Sequence, residues 1–118
     1  MSELHDHGGR TEDLLKSMPS NEKFNEACEI FSQLCDPTRL KIMWLLCHST
    51  ECVSNIASFV NMSSPAVSHH LRNLRYNGFI VSYRDGKEVY YHAADSPRIE
   101  LVHQMIDDIF DMDCLRRR

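Results

Sequence analysis

One stretch of this chain constrains its fold more than any other part. Residues 63–93 read SSPAVSHHLRNLRYNGFIVSYRDGKEVYYHA. Ser64 is placed to cap a helix over Pro65–Tyr76. Alternating apolar and polar residues then predict two strands, Phe79–Arg84 and Glu88–His92, joined by a turn that contains glycine. The stretch therefore predicts a short helix followed directly by a β-hairpin.

The rest of the chain predicts further helices. Their expected bounds are Thr11–Met18, Glu22–Leu34, Pro37–Cys47, Cys52–Val60 and, after Asp95-Ser96-Pro97, a last helix to about Met112. Apolar residues at helical spacing predict a buried stripe on the second of these: Phe24, Ala27, Cys28, Phe31 and Leu34. The short turn between helices 52–60 and 65–76 has the spacing of a helix-turn-helix.

A chain of 118 residues has room for one small core. We expect a mobile arm over residues 1–10, a winged helix-turn-helix domain with terminal dimerisation helices over 11–112, and a basic tail over 113–118. The last helix carries more apolar residues than one small domain covers, which predicts pairing with a second copy. The fold class is thus mainly α with a β-hairpin wing, and homodimeric. The polar N-terminus and the lack of a long apolar run predict a cytoplasmic protein without membrane contact.

The net charge of −4 is unevenly distributed along the chain. Residues 1–36 carry eight acids and three bases, a net −5, and residues 94–118 carry six acids and four arginines, a net −2. Residues 63–93 carry four bases and two acids, a net +2. Because nucleic-acid binding requires cations on the contacting surface, the helix and hairpin are the expected contact with a DNA duplex.

Three segments carry a resemblance to a known family. They are DPTRLKI (36–42), SSPAVSHHLRNLRYNGFIVSYRDGKEVYYH (63–92) and the amphipathic helix after Asp95. From about Thr11 onward the chain resembles the ArsR/SmtB-type bacterial repressors. The resemblance implies a homodimeric winged-helix repressor that binds double-stranded operator DNA with an inverted repeat and releases it when an inducer binds.

The resemblance also implies which residues contact DNA. The side chains expected to meet bases are Ser64, Ser68, His69 and Arg72, while Arg75, Arg84 and Lys87 are expected to meet phosphates or the minor groove. Ser64 is also expected to cap its helix. His70 is expected to pack inward.

Family members of this kind commonly sense metal ions, and the sequence offers two candidate sites. In the first, Cys52 of TECVSN stands where relatives have a cysteine ligand, and His7, with His5, falls where the partner's N-terminal arm supplies ligands. A thiolate with imidazoles suits zinc, cadmium or another thiophilic or borderline divalent ion. A half-buried cysteine and a solvated arm would explain the same residues.

The second candidate site lies on the last helix. Asp95 fits the first ligand position of the family's zinc site between subunits, but Pro97 stands where the family has a histidine. Asp108 and Asp111 fit the partner positions in kind, but acids solvated on an outer helix face are the favoured explanation for them. His103 and Asp107, four residues apart on one helical face, form an altered site with Asp95 in this interpretation.

Other functions remain open at this stage. Cys28, Cys35 and Cys47 are expected to be small buried hydrophobic residues, yet Cys35 or Cys47 approaching Cys114 or a partner's cysteine would make a thiol switch. A repressor that answers to thiol oxidation or an unknown inducer is therefore an alternative. A second alternative is a protein-interaction winged helix without DNA binding, which the acidic net charge supports. An enzyme is not expected, because the chain has no nucleophile triad, phosphate loop or paired-carboxylate pattern.

Overall fold

A computed structural model of the protein describes residue 5 and residues 8–111. The chain divides into two compact units, residues 1–31 and the residues from 32 onward. Across the described residues, none of the helices combines the length and the apolar character that crossing a bilayer requires.

The first unit consists of two helices, α1 (Thr11–Ser17) and α2 (Asn21–Ser32). Neither helix has a buried residue. The prediction of a buried apolar stripe on α2 is therefore wrong for a single copy of the chain, in which Phe24 and Phe31 are 46% and 68% exposed. Two short helices enclose too little volume for a core of their own, so apolar spacing alone does not ensure burial.

The second unit contains the remaining elements. In chain order they are α3 (Pro37–His48), β1 (Glu51–Cys52), α4 (Val53–Val60), α5 (Ser64–Tyr76), β2 (Ile80–Asp85), β3 (Glu88–Ala93) and α6 (Pro97–Ile109). Its core is apolar and draws on α3, α4, α5, α6 and the start of β2. The largest fully buried side chains are Phe79, Ile42, Met43, Ile56, Leu71, Leu74, Ile80, Ile99, Ile106 and Val67.

The sheet has three antiparallel strands in the order β1-β3-β2. Strands β2 and β3 form the predicted hairpin, in which Ile80 pairs with Ala93 and Asp85 with Glu88. The short strand β1 was not predicted, and it pairs Glu51 with Tyr91. Two residues give no alternation to detect, so only the tertiary fold identifies them as a strand.

The DPTR segment fixes the start of α3. As predicted, Asp36 is its N-cap and accepts a hydrogen bond from Arg39 N at 2.9 Å. That backbone hydrogen bond lowers the pKa of Asp36 below its ordinary value, because it stabilises the carboxylate form. The Arg39 side chain donates from Nε to Gln33 O at 3.0 Å, which ties the helix start to the preceding turn.

Several local predictions need correction. Ser63, and not Ser64, caps α5, because its hydroxyl accepts from Ala66 N at 3.3 Å. The last helix ends at Ile109 and is capped by Ser96. Cys28 and Cys35 are exposed and Cys47 is only half-buried, so the prediction of three buried cysteines is wrong. Cys28 lies on a helix without a buried face, and Cys35 lies in the turn that follows it.

Candidate nucleic-acid interface and metal site

The two helices of the predicted helix-turn-helix, α4 and α5, are joined by a tight turn. Asn61 ends α4 in the left-handed conformation at φ 55°, and Met62 N donates to Ala57 O at 3.0 Å. Asparagine is one of the few residues with a side chain that adopts this conformation readily. The turn closes at Ser63, whose cap begins α5.

Helix α5 has one buried face and one exposed face. Val67, Leu71 and Leu74 recur at helical spacing and are buried, which anchors the helix to the core. His69 and Arg72, three residues apart, lie on the opposite side and are exposed. The helix therefore presents polar side chains outward from a fixed base, which is the arrangement that major-groove reading requires.

The residues predicted to contact DNA are accessible with one partial exception. Those that are exposed are Ser64, His69, Arg72, Arg75, Arg84 and Lys87, while Ser68 is half-buried. His70 is half-buried as well, and its Nδ1 atom is enclosed. Burial lowers the pKa of His70, because a desolvated imidazolium is disfavoured.

The wing is stiffened along its length and tied to α5. Its tip is a two-residue turn with Gly86 at φ 65°, a conformation that side chains rarely adopt. Tyr83 and Tyr90 stack across the strands with ring centroids 5.6 Å apart. Arg75 of α5 donates to Ser82 Oγ of β2 at 3.2 Å, so this arginine links the two elements that are predicted to contact DNA.

The first candidate metal site is only partly described. Cys52 is half-buried and occupies the N-cap position of α4. His5 is exposed, and its backbone oxygen accepts from Thr11 Oγ1 at 3.2 Å. His7 and Cys114 lie outside the described residues.

The second candidate site gains a residue that the sequence did not predict. His103 and Asp107 of α6 lie next to His48 at the end of α3, and we call these three residues the His48–His103–Asp107 cluster. Its ligand atoms all lie within 4.8 Å of one another. The side chains of His48, His103 and Asp107 are 19%, 12% and 5% exposed. His48 precedes His103 by 55 positions, and no spacing in the sequence relates them.

A cleft of about 320 Å³ opens beside this cluster, lined by His48 and His103 together with Asp95. Asp95 thus borders the same cleft as His103, and it is exposed. Asp108 and Asp111 are exposed. The structure of one chain brings neither of them into the His48–His103–Asp107 cluster.

The fold and the site together define a winged helix-turn-helix DNA-binding protein. Residues 36–82 match the family model described as "Bacterial regulatory protein, arsR family". The chain is 35% identical to a Transcriptional repressor SmtB homolog of Synechocystis over 80% of its own length and 71% of the relative. It is 40% identical to the Cadmium resistance transcriptional regulatory protein CadC of Listeria innocua over 64% of its own length and 65% of the relative. The chain therefore belongs to the ArsR family of transcriptional regulators.

A solved structure supports the same fold. The homodimeric winged helix-turn-helix DNA-binding domain of a possible ArsR-family regulator from Mycobacterium bovis superposes with a TM-score of 0.67. The match covers 85% of this chain and 94% of that domain at 22% identity. The predicted winged helix-turn-helix is confirmed. The relatives are transcriptional regulators, so the chain is a transcriptional repressor of this family and not an enzyme.

Proposed function

We propose that this protein is a homodimeric repressor that binds an inverted-repeat operator and leaves it when each protomer binds a divalent transition-metal ion. The observation that carries the DNA half of this proposal is the exposed face of α5 beside a basic wing. His69 and Arg72 are exposed above a buried anchor, with Arg84 and Lys87 exposed on the adjoining hairpin. In this arrangement α5 enters the major groove and the wing meets the backbone.

Uncovered apolar surface supports the homodimer. Leu101, Met105 and Ile109 of α6 are 66%, 47% and 68% exposed in a single chain. They recur at i, i+4 and i+8 and so form one stripe along the helix. A second copy that covers this stripe would bury it at a two-fold axis and set two copies of α5 one helical turn of DNA apart.

Two observations support the response to metal. Relatives of this chain carry the names cadmium resistance regulatory protein and repressor SmtB. The chain also contains a group of two histidines and an aspartate with the spacing of metal ligands. Zinc or cadmium are the ions that these two observations favour together.

The energy needed for release is modest. An ion that binds one orientation of the two α5 helices more tightly shifts the dimer toward that orientation. A hundredfold loss of operator affinity corresponds to about 2.7 kcal/mol, which lies within the usual range of allosteric coupling.

A gel-shift titration with promoter DNA tests the proposal. We expect the metal-free dimer to shift a palindromic operator, and stoichiometric zinc or cadmium to abolish the shift, with EDTA restoring it. If a thiol oxidant abolishes the shift and metal ions do not, the repressor responds to thiol oxidation and not to metal. Failure to shift any palindrome at low salt would refute DNA binding and favour a protein-interaction module.

A further inference from the structure

We infer that the His48–His103–Asp107 cluster is a divalent-cation site built within a single protomer, with two imidazole nitrogens and one carboxylate as its ligands. This inference rests on the proposed function for its regulatory meaning, but the site itself is argued from geometry. It shares His103 and Asp107 with the second site that the sequence predicted, but its third ligand is His48 of α3 in place of Asp95.

The hydrogen bonds of His48 indicate which of its nitrogens faces the cluster. Nδ1 lies 2.6 Å from the carbonyl oxygen of Trp44. A carbonyl oxygen only accepts, so Nδ1 carries the proton of this bond. In the neutral ring, Nε2 then presents a lone pair, and it lies 3.2 Å from Asp107 Oδ1.

Metal-ligating histidines commonly donate their second ring N–H to a backbone carbonyl, which fixes the ring and directs the other nitrogen at the ion. His48 has this arrangement through Trp44.

The distances among the ligand atoms match a compact coordination sphere. His48 Nε2 and His103 Nε2 are 3.4 Å apart, and His103 Nε2 lies 3.3 Å from Asp107 Oδ2. With metal–nitrogen bonds of about 2.0–2.1 Å, neighbouring ligands of a regular tetrahedron lie about 3.3–3.4 Å apart. The two histidine nitrogens are therefore already close to the required spacing. Asp107 meets His48 through Oδ1 and His103 through Oδ2, so its carboxylate lies between the two rings, and the adjoining cleft leaves room for a water ligand.

The ligand set indicates the class of ion. Two imidazoles and a carboxylate suit borderline ions such as zinc, cobalt or nickel, whereas soft ions prefer thiolates. The described cluster contains no cysteine. Zinc should thus bind here more tightly than the softer cadmium.

The position of the cluster connects it to regulation. His48 ends α3, which packs against the recognition helix α5, while His103 and Asp107 belong to α6 with its uncovered apolar stripe. An ion at this point joins the two helices within one protomer. It would change the angle between the proposed dimer interface and the surface that meets DNA.

Cobalt titration of the full-length, metal-stripped protein tests the site. Tetrahedral Co²⁺ gives visible absorption bands, and a cysteine ligand adds a near-ultraviolet thiolate charge-transfer band. We expect one Co²⁺ per protomer, visible bands without the thiolate band, and displacement by Zn²⁺. His48→Gln and His103→Gln should weaken binding at least about 100-fold, since each removes a direct ligand.

Two matched variants serve as controls. His92→Gln removes a histidine that lines the same cleft but lies outside the cluster, and Cys52→Ser removes the alternative ligand. Both should bind Co²⁺ like the original chain. Circular dichroism spectra and thermal unfolding of the metal-free variants establish that they fold, and added Zn²⁺ should raise the Tm of the original chain but not that of His48→Gln.

Three results would overturn the inference: no ion bound, binding that survives His48→Gln and His103→Gln, or binding that Cys52→Ser abolishes. If no ion binds, the contact between His48 and Asp107 has a structural role and is not part of a metal site. DNA binding is measured separately on the metal-free proteins. If His48→Gln binds the operator and still releases it with zinc, this site fails while the proposed function stands. If the original chain binds one ion here but never binds DNA, the site stands while the proposed function fails.

Discussion

Replacing the two cations of the wing gives the sharpest test of how the hairpin is used. Arg84 lies near the end of β2 and Lys87 in the turn, and both side chains are exposed. In a dimer, Arg84→Ala with Lys87→Ala removes four positive charges. We expect weaker operator binding, because each of these charges is assigned to a phosphate.

The size of the effect follows from counterion release. Each lost phosphate contact makes the slope of log K against log salt less negative by about 0.9, so four contacts change it by about 3.6. The operator-binding constant of the original chain, divided by that of the variant, should then fall by about 150-fold between 50 and 200 mM salt. Fluorescence anisotropy with a labelled operator, repeated across this range, measures both slopes.

Arg98→Ala is the matched control, because Arg98 is also exposed but lies in the first turn of α6 and not in the wing. It should leave the slope within about one unit of the original. If the wing variant and the original chain have the same slope, the wing does not contact phosphates and the docking geometry proposed above is refuted.

Four further predictions concern recognition and stability. Arg72→Ala should weaken the binding free energy by about 1–3 kcal/mol per half-site on the operator and by little on random DNA. Equal losses on the two DNAs in a competition assay would exclude a base contact by Arg72. Leu74→Ala should lower the free energy of unfolding by about 2–5 kcal/mol in urea, because Leu74 is 0% exposed; a loss below 1 kcal/mol would contradict the core. Asp36→Ala should lower the free energy of unfolding by about 1 kcal/mol, because it removes the side-chain cap of α3. Asp36→Asn should lose much less, because asparagine also caps helices; equal losses would assign the effect to the charge. Burial lowers the pKa of His70, so the folded protein favours the neutral ring. The stability that this preference gives the fold is fully present above about pH 6.5, the pKa of an unperturbed histidine, and is lost as the pH falls through the lowered pKa. His70→Gln should therefore lose less stability in urea between pH 7 and 5 than the original chain, and an unchanged pH profile would refute that role.

Local sequence patterns predicted the elements that carry the DNA-binding proposal. The hairpin follows from alternation and a glycine turn, and Asp36-Pro37 marks the start of α3 because both residues have a local structural role there. The exposed positions of α5 follow from the helical spacing of Val67, Leu71 and Leu74. In each case the information lies within a few residues of the feature it determines.

Features that depend on distant contacts could not be predicted in this way. The strand β1 exists only because Glu51 meets Tyr91, and His48 joins α6 only through the packing of the tertiary fold. The exposure of Phe31 shows the converse, since helical spacing predicts an apolar face but not what covers it. The helix and hairpin were thus predictable, while the composition of the metal-ligand cluster was not.

The most direct test of the account is operator affinity with and without zinc in one experiment. Fluorescence anisotropy of the protein's own promoter palindrome, at fixed salt and with the metal-stripped dimer, should give tight binding that one Zn²⁺ per protomer weakens by about 100-fold, or about 2.7 kcal/mol. Affinity that stays unchanged when each protomer carries zinc would contradict the claim that this repressor is released by metal.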